Sequence, residues 1–419
     1  MKRRILPLSI LFALLVSAPL VAAQGKVVTS IESGERSLTD VLEDRDTSAI
    51  FDFVRYNLRI DENLSSATHF DAAYEHYFKD YSALDTFDSV SNAYHFGIDH
   101  TFARNDSDKF KIDLGVGFKD KEYNHNLSLS YERTSADIGL SYKHDDLWEI
   151  GWRNGLINYE YIKASQDQLK LFTQVSGWVK WFDGRLKIAP SYKFQYVDQL
   201  RGNGTRDENT ARLASTYKLG LPYFDSLSGA YELGKTDTKD SEEEDRDDDL
   251  QFRFHRWYLA SEHPLSSLAT TAFKYGEIQR DYRANSNNYR TWFLENKTGF
   301  TLYEDVKNKT SLQVTTEHRE GDYDIVDSLR YIKNTAIAKI SCLQKKDWEF
   351  TPSLAVKKFD YHASPEKNEL DYDSKFEFSK KLFNQNVDVN LSYRYTWKLY
   401  RYKSDMRLWM AKAAIGYTF

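Results

Sequence analysis

Two runs place acid–base side chains next to each other, His144-Asp145-Asp146 and Asp99-His100. Neighbours along a strand point to opposite faces, so Asp99 and His100 cannot act together from one strand. His144 to Asp146 reads as a turn. The sequence holds no G-x-S-x-G elbow, no H-E-x-x-H pair and no phosphate-binding glycine loop. Cysteine and histidine nowhere fall at metal-ligand spacing, and Cys342 is the single cysteine. The expectation is no catalytic residue, no cofactor site and no metal site. The acidic run Asp237 to Asp249 reads as a solvated surface loop. Divalent-cation binding is its alternative, although it lacks the spaced ligands and glycine of an EF-hand loop.

The remaining candidates are charges sorted by strand alternation. In Arg185 to Val197, Leu186, Ile188, Pro190, Tyr192, Phe194 and Tyr196 share one face, and Lys187 and Lys193 the other. Lys109 to Lys119 and Val387 to Leu399 repeat the pattern, with one greasy and one wet face. Opposing the charges to the apolar stripe gives a wet wall that includes Lys111, Lys187, Lys193, Arg212, Lys218, Arg394, Lys398 and Lys412. The same rule adds Lys180, Arg253, Lys297, Lys339, Lys357 and Lys375, and the acids Asp71, Glu75, Asp99, Asp113, Glu295, Glu317, Glu349, Asp373, Glu377 and Asp388. This wall is more basic than acidic, and a basic pore lining favours anions. Cross-strand pairing of the same charges is the alternative. Arg253-Phe254-His255-Arg256-Trp257 breaks the alternation and suggests a bulge.

The elements that must position these residues are long strands. They run to about 10 to 14 residues, enough to cross a bilayer at a tilt. Short connections, as at Phe182-Asp183-Gly184, Leu221 to Asp225, Glu262 to Ser266 and Glu304 to Asn308, alternate with long polar ones, as at Asp198 to Asn209 and Asp281 to Asn288. Such alternation is the layout of a transmembrane antiparallel up-and-down β-barrel. Lys119 to Tyr142 reads either as one long hairpin arm or as two strands. The count is set at 18, with 16 to 20 allowed.

Composition agrees with an all-β barrel. Tyr numbers 29, Phe 25 and Trp 9, yet only 41% of residues are hydrophobic. A wet lumen needs one apolar face per strand plus aromatic girdles at the two interfaces, and the tryptophans are assigned to those girdles. Residues 1–23 form a signal peptide, with Lys2, Arg3 and Arg4, an apolar core and Val21-Ala22-Ala23. Beyond it no apolar run reaches the roughly 18 residues of a transmembrane helix. Without the three leading basic residues, 54 of the 57 remain against 63 acidic ones, which argues against nucleic acid as a partner. Residues 24–50 are poor in aromatics and read as a periplasmic lead-in or small plug, with 51–419 the barrel.

The chain ends in Ala413-Ala414-Ile415-Gly416-Tyr417-Thr418-Phe419, with Ile415, Tyr417 and Phe419 on one face. This ending resembles the C-terminal signal of bacterial outer-membrane proteins, and the wider pattern resembles porin-like barrels. The resemblance implies the cell outer membrane as location. It also implies the barrel assembly machinery, outer-membrane lipid and lipopolysaccharide as partners. The expected function is passive diffusion of small hydrophilic solutes, with a weak preference for anions or acidic oligosaccharides. A polysaccharide export channel, a barrel enzyme and a closed structural barrel are the alternatives. An energised receptor would need a globular plug, which 27 residues cannot supply. Nothing in the pattern sets the oligomeric state.

Overall fold

The structure, a computed structural model, describes residues 26–40, 47–81, 88–105, 107–124, 126–162, 166–199, 204–240, 251–282, 288–323, 329–344, 347–383, 387–400 and 406–418. Twenty strands follow in chain order. The first ten are β1 (Lys26–Asp40), β2 (Thr47–Asn63), β3 (Thr68–Tyr81), β4 (Ser89–Ala103), β5 (Asp108–Tyr123), β6 (Tyr131–His144), β7 (Trp148–Tyr161), β8 (Gln168–Trp181), β9 (Leu186–Gln199) and β10 (Gly204–Leu221). The rest are β11 (Phe224–Asp240), β12 (Phe252–Ser266), β13 (Ala269–Tyr282), β14 (Tyr289–Glu304), β15 (Asn308–Tyr323), β16 (Tyr331–Gln344), β17 (Trp348–Tyr361), β18 (Glu369–Leu382), β19 (Val387–Tyr400) and β20 (Met406–Thr418). Each strand pairs antiparallel with the next, and β20 returns to pair with β1, so the backbone ladder has no free edge. In hydrocarbon that closure is obligatory, because an unpaired N–H or C=O has no water to bond.

The strand number is 20, above the 18 expected and at the top of the allowed range. Lys119 to Tyr142 resolves into two strands joined through a 3-10 turn at Leu127–Leu129. Residues 24–50, expected as a lead-in or plug, differ more. Lys26–Asp40 is β1, and β2 begins at Thr47. β1 lacks a strong apolar stripe; its place is set by backbone bonds to β2 and β20, which leave no mark on its side-chain pattern. Residues 1–23, expected as a signal peptide, and 241–249 of the acidic run Asp237 to Asp249 lie outside the described residues.

Connections at one end span two to four residues, as at 222–223 and 182–185, and at the other four to eleven, as at 200–203 and 241–251. The short ends are periplasmic and the long ends extracellular in such barrels. The turn expected at Glu262 to Ser266 lies instead at 267–268, because β12 continues through Ser266. Tight turns need left-handed backbone, supplied at 182–185 by Phe182, Asp183 and Gly184 with φ of 52°, 56° and 81°.

The interior is not a packed core. Among the described residues only Phe53, Phe293, Ala355 and Ala414 are buried apolar side chains. Large apolar side chains instead lie exposed along one face of each strand. Phe96, Leu114, Val116, Leu213, Leu259, Leu354 and Leu391 are examples, each about half exposed. Such a face is stable only against lipid, so it is the outside, and the polar face lines the lumen. A barrel of this strand number encloses more space than side chains fill.

Candidate functional site

Once the apolar face is set outward, strict alternation places every lumenal residue. Lys111 lies on the lumen side of β5, Lys187 and Lys193 on β9, Arg212 and Lys218 on β10, Arg394 and Lys398 on β19, and Lys412 on β20. Seven of these eight divide by partner. Lys111 Nζ bridges Asp99 (3.3 Å) and Asp113 (2.8 Å). Arg394 grips Asp373 through Nε at 2.9 Å and through Nη2. Lys398 sits 3.5 Å from both Glu369 and Asp371. Lys187, Lys193, Arg212 and Lys218, by contrast, have no ion pair among the described residues.

Those four belong to a basic stripe on β8, β9 and β10, which also carries Lys170 and Lys180. Lys180 and Lys187 stand directly opposite each other across β8 and β9. Their ammonium groups lie 5.2 and 5.1 Å from the Trp178 ring centre. Like charges directly opposed cost stability. A cation against the indole face recovers part of that cost. The lumenal acid within the stripe is Glu208, already paired to Arg206 at 2.5 Å. Arg212 is registered opposite Glu232, whose carboxylate is taken by Arg256, so the stripe presents an excess of positive charge along the lumen wall.

Beside it, β3 to β8 form a depression of about 510 Å³. Its floor is glycine. Asp71 is registered opposite Gly97, Asp113 opposite Gly139, and Asp137 opposite Gly115 and Gly155. A β-carbon on Gly97 would meet Asp71 Oδ1 at 2.3 Å, so the carboxylate lies flat where a side chain would stand. His95 Nε2 is 3.3 Å from Asp71, and Arg153 donates to Asp137 through Nε (2.9 Å) and Nη2 (2.6 Å). The lumen thus places an acidic, partly neutralised hollow next to a basic stripe.

Arg253 is a correction. It lies on the lipid-facing side with His255 and Trp257, and Arg256 faces the lumen, 2.7 Å from Glu232. The register with β11 and β13 runs unbroken from Arg253 to Trp257, so there is no bulge there. The expectation failed because it took every aromatic as outward, whereas Phe252 and Phe254 point into the lumen. This belongs to a feature the sequence reading missed. Ten of the twenty strands meet the long-connection end at a tyrosine, and none meets the short-turn end at one. Tyr131 and Tyr161, Tyr289 and Tyr323, and Tyr331 and Tyr361 pair across strands with ring centres 5.4, 5.5 and 6.1 Å apart, all on the lumen side. The signal was available as the tyrosines at the ends of seven of the ten long connections, three of them bracketed on both sides. The tryptophans lie mostly on the lipid side near strand ends; Trp178 is lumenal.

Of the acid–base groups, His144 Nδ1 is 2.7 Å from Asp108, Asp99 is held by Lys111, and His100 bonds Thr68 Oγ1 at 2.7 Å on the opposite face. Among the described residues no group of three or more His, Cys, Asp or Glu is placed to hold a metal ion. At the C-terminus, Ile415 is 57% exposed on the lipid face, and Tyr417 is registered opposite Val387 and Thr29. Phe419 lies outside the described residues.

No protein-family model matches the chain, and no curated protein matches it in sequence. Solved structures do match in fold. The copper transporter OprC superposes with a TM-score of 0.58 at 10% identity, over 94% of this chain and 82% of that one. The ferric-catecholate import receptor Fiu from E. coli K12 gives 0.58 at 8% identity, over 94% and 82%. The outer membrane transporter YddB from Escherichia coli gives 0.54 at 8%, over 93% and 81%. At these identities the likeness concerns the fold. The fold is that of the outer-membrane β-barrels, and a closed barrel with an apolar outer belt belongs in that membrane.

Proposed function

We propose that this protein is an outer-membrane channel for passive diffusion of small hydrophilic solutes, with a preference for anions that extends to acidic oligosaccharides. The observation that carries this reading is the basic stripe. Lys187, Lys193, Arg212 and Lys218 face the lumen without acidic partners among the described residues, and a ring or stripe of unpaired cations lowers the barrier for anions. The described strands are all spent on the wall, β1 included. Barrels of this fold include a copper transporter and a ferric-catecholate import receptor, so moving a solute across the membrane is a task the fold supports. On this reading the protein is a conduit and not an enzyme. β20, with Ile415, Tyr417 and Phe419, would be read by the barrel assembly machinery, and lipid and lipopolysaccharide would surround the outer belt.

The test is single-channel conductance of the refolded chain in a planar bilayer, with the reversal potential measured under a salt gradient. Stable open steps with chloride favoured over potassium are expected. Cation preference would remove the role given to the stripe. A folded barrel with no conductance would remove the channel.

A further inference from the structure

We propose that the tyrosines inside the outer mouth form a capture site for acidic saccharides, in which ring faces stack on the collar and carboxylates reach Arg133 and Arg280. The inference rests on the anion-channel reading for the solute's onward path and adds the site that binds its acidic saccharides.

The collar puts aromatic rings on the lumen side of the wall, where cross-strand pairing holds them in place. Its pairs, such as Tyr131–Tyr161 and Tyr331–Tyr361, face water and not lipid, so interface anchoring does not account for them. Each side chain offers a flat apolar face and a hydroxyl that donates and accepts. A pyranose ring has the matching pair of features, an apolar C–H face and a rim of hydroxyls.

The cations are what select the acid. The Arg280 guanidinium lies 4.4 Å from the Phe252 ring centre and 5.5 Å from that of Tyr289. Arg133 lies 5.7 Å from Tyr159, with the Lys170 ammonium 4.9 Å from the same ring. Neither arginine has an ion pair among the described residues; the Nε of each is buried without an acceptor, and Arg280 Nη1 donates to the Tyr282 hydroxyl at 3.2 Å. A guanidinium with no carboxylate of its own keeps its terminal Nη donors for one, and its planar fork can hold a carboxylate at two points. Each arginine stands among collar rings, so one ligand can use stacking and charge together. Below the mouth, the stripe of β8 to β10 continues the attraction inward.

The experiment uses the full refolded chain in detergent, titrated calorimetrically with an α-1,4-linked hexamer of galacturonic acid. Hexaglutamate, of equal charge but without sugar rings, is the comparison. The hexasaccharide should bind at least about tenfold tighter, the scale of one or two aromatic contacts. Tyr131→Leu combined with Tyr331→Leu should raise its Kd about tenfold, while the Tyr→Phe pair keeps binding within about threefold. Arg133→Gln with Arg280→Gln should abolish the advantage over maltohexaose, a neutral hexamer. Equal binding of hexaglutamate and hexagalacturonate by the wild-type chain would overturn the proposal, and that comparison needs no variant to fold. Unchanged binding in the leucine variants would also overturn it. Bilayer conductance on the same preparations separates the two readings. Saccharide binding without conductance keeps the capture site and discards the channel, whereas conductance without binding does the reverse.

Discussion

The backbone N–H of Tyr361 donates to the side-chain oxygen of Asn368 at 2.6 Å, across the connection it opens. The arrangement recurs between Tyr161 and Asp167 (2.7 Å), Tyr282 and Asn288 (2.6 Å), and Tyr123 and Ser130 (2.9 Å). In each case the acceptor is the residue just before the descending strand. Asn, Asp and Ser are suited to this because their short side chains mimic a backbone carbonyl. The bond fixes the strand end and with it the tyrosine whose ring faces the lumen. Local turn chemistry thus holds the outer mouth.

Removing one such acceptor should loosen one connection and little else. Asn368→Ala is expected to cost about 1 kcal/mol locally, the worth of a typical hydrogen bond. Limited proteolysis of the folded barrel should then cut within 362–368 faster, with the rest of the digestion pattern unchanged. Asn368→Asp keeps an acceptor and should behave as wild type. Equal cutting rates in all three proteins would show that the bond does not hold the loop.

The like-charged pair of Lys180 and Lys187 makes a second case, in which stability and function should move in opposite directions. Lys187→Glu converts an opposed pair into an ion pair and should stabilise the barrel by about 0.2–1 kcal/mol. It should also reduce anion preference, because a stripe cation becomes an anion. The urea midpoint of unfolding and the reversal potential read the two effects on one variant. A lower midpoint, or a reversal potential that does not move toward that of a non-selective pore, would contradict the assignment of Lys187 to a lumen stripe with an excess of positive charge.

Much of the barrel was legible because its rule is simple. Period two, long strands and alternating connection lengths are properties of the backbone in lipid, and they surface directly as side-chain pattern at Leu186 to Tyr196 or Phe110 to Phe118. What stayed hidden has two physical causes. β1 carries little apolar side chain, since its neighbours β2 and β20 hold it by backbone bonds. At the mouth the outward-apolar rule inverts, so Phe252 and Phe254 drew Arg253 to the wrong face and the tyrosine collar went unread. The glycine-floored hollow was invisible for a third reason. Asp71 and Gly97 are neighbours only through register, which alternation within one strand does not encode.

Glycines in the wall should differ sharply in tolerance. At Gly276 a β-carbon would lie 2.4 Å from the Trp257 carbonyl oxygen and 2.7 Å from the Phe293 ring. Backbone of the adjacent strand cannot step aside, so Gly276→Ala should destabilise by about 1–3 kcal/mol, the range for overpacking. At Gly97 the obstacle is the end of the Asp71 side chain, which can rotate away. Gly97→Ala should leave stability within about 0.5 kcal/mol of wild type, the usual range for a substitution that forces no backbone shift. Urea unfolding of both variants in the same detergent tests the contrast, and equal losses would contradict it.

The short turn at 305–307 supplies a pH prediction. Asp305 accepts from the backbone N–H groups of Lys307 (2.7 Å) and Asn308 (2.6 Å) and from the Tyr303 hydroxyl (2.5 Å). These donors, Tyr303 foremost, hold its carboxyl well below the usual carboxylate range. A depressed folded value means that the unfolded chain takes up the proton first as pH falls. The turn's contribution is therefore complete above the ordinary carboxylate value of about 4 and drains away below it, toward the depressed folded value. Asp305→Asn removes the charge at every pH. The wild-type advantage in unfolding midpoint over this variant should be flat from neutral pH down to about 5 and should shrink below about 4. An advantage that grows on acidification would mean that Asp305 is protonated in the folded turn, and the hydrogen-bond geometry would then have to be read the other way round.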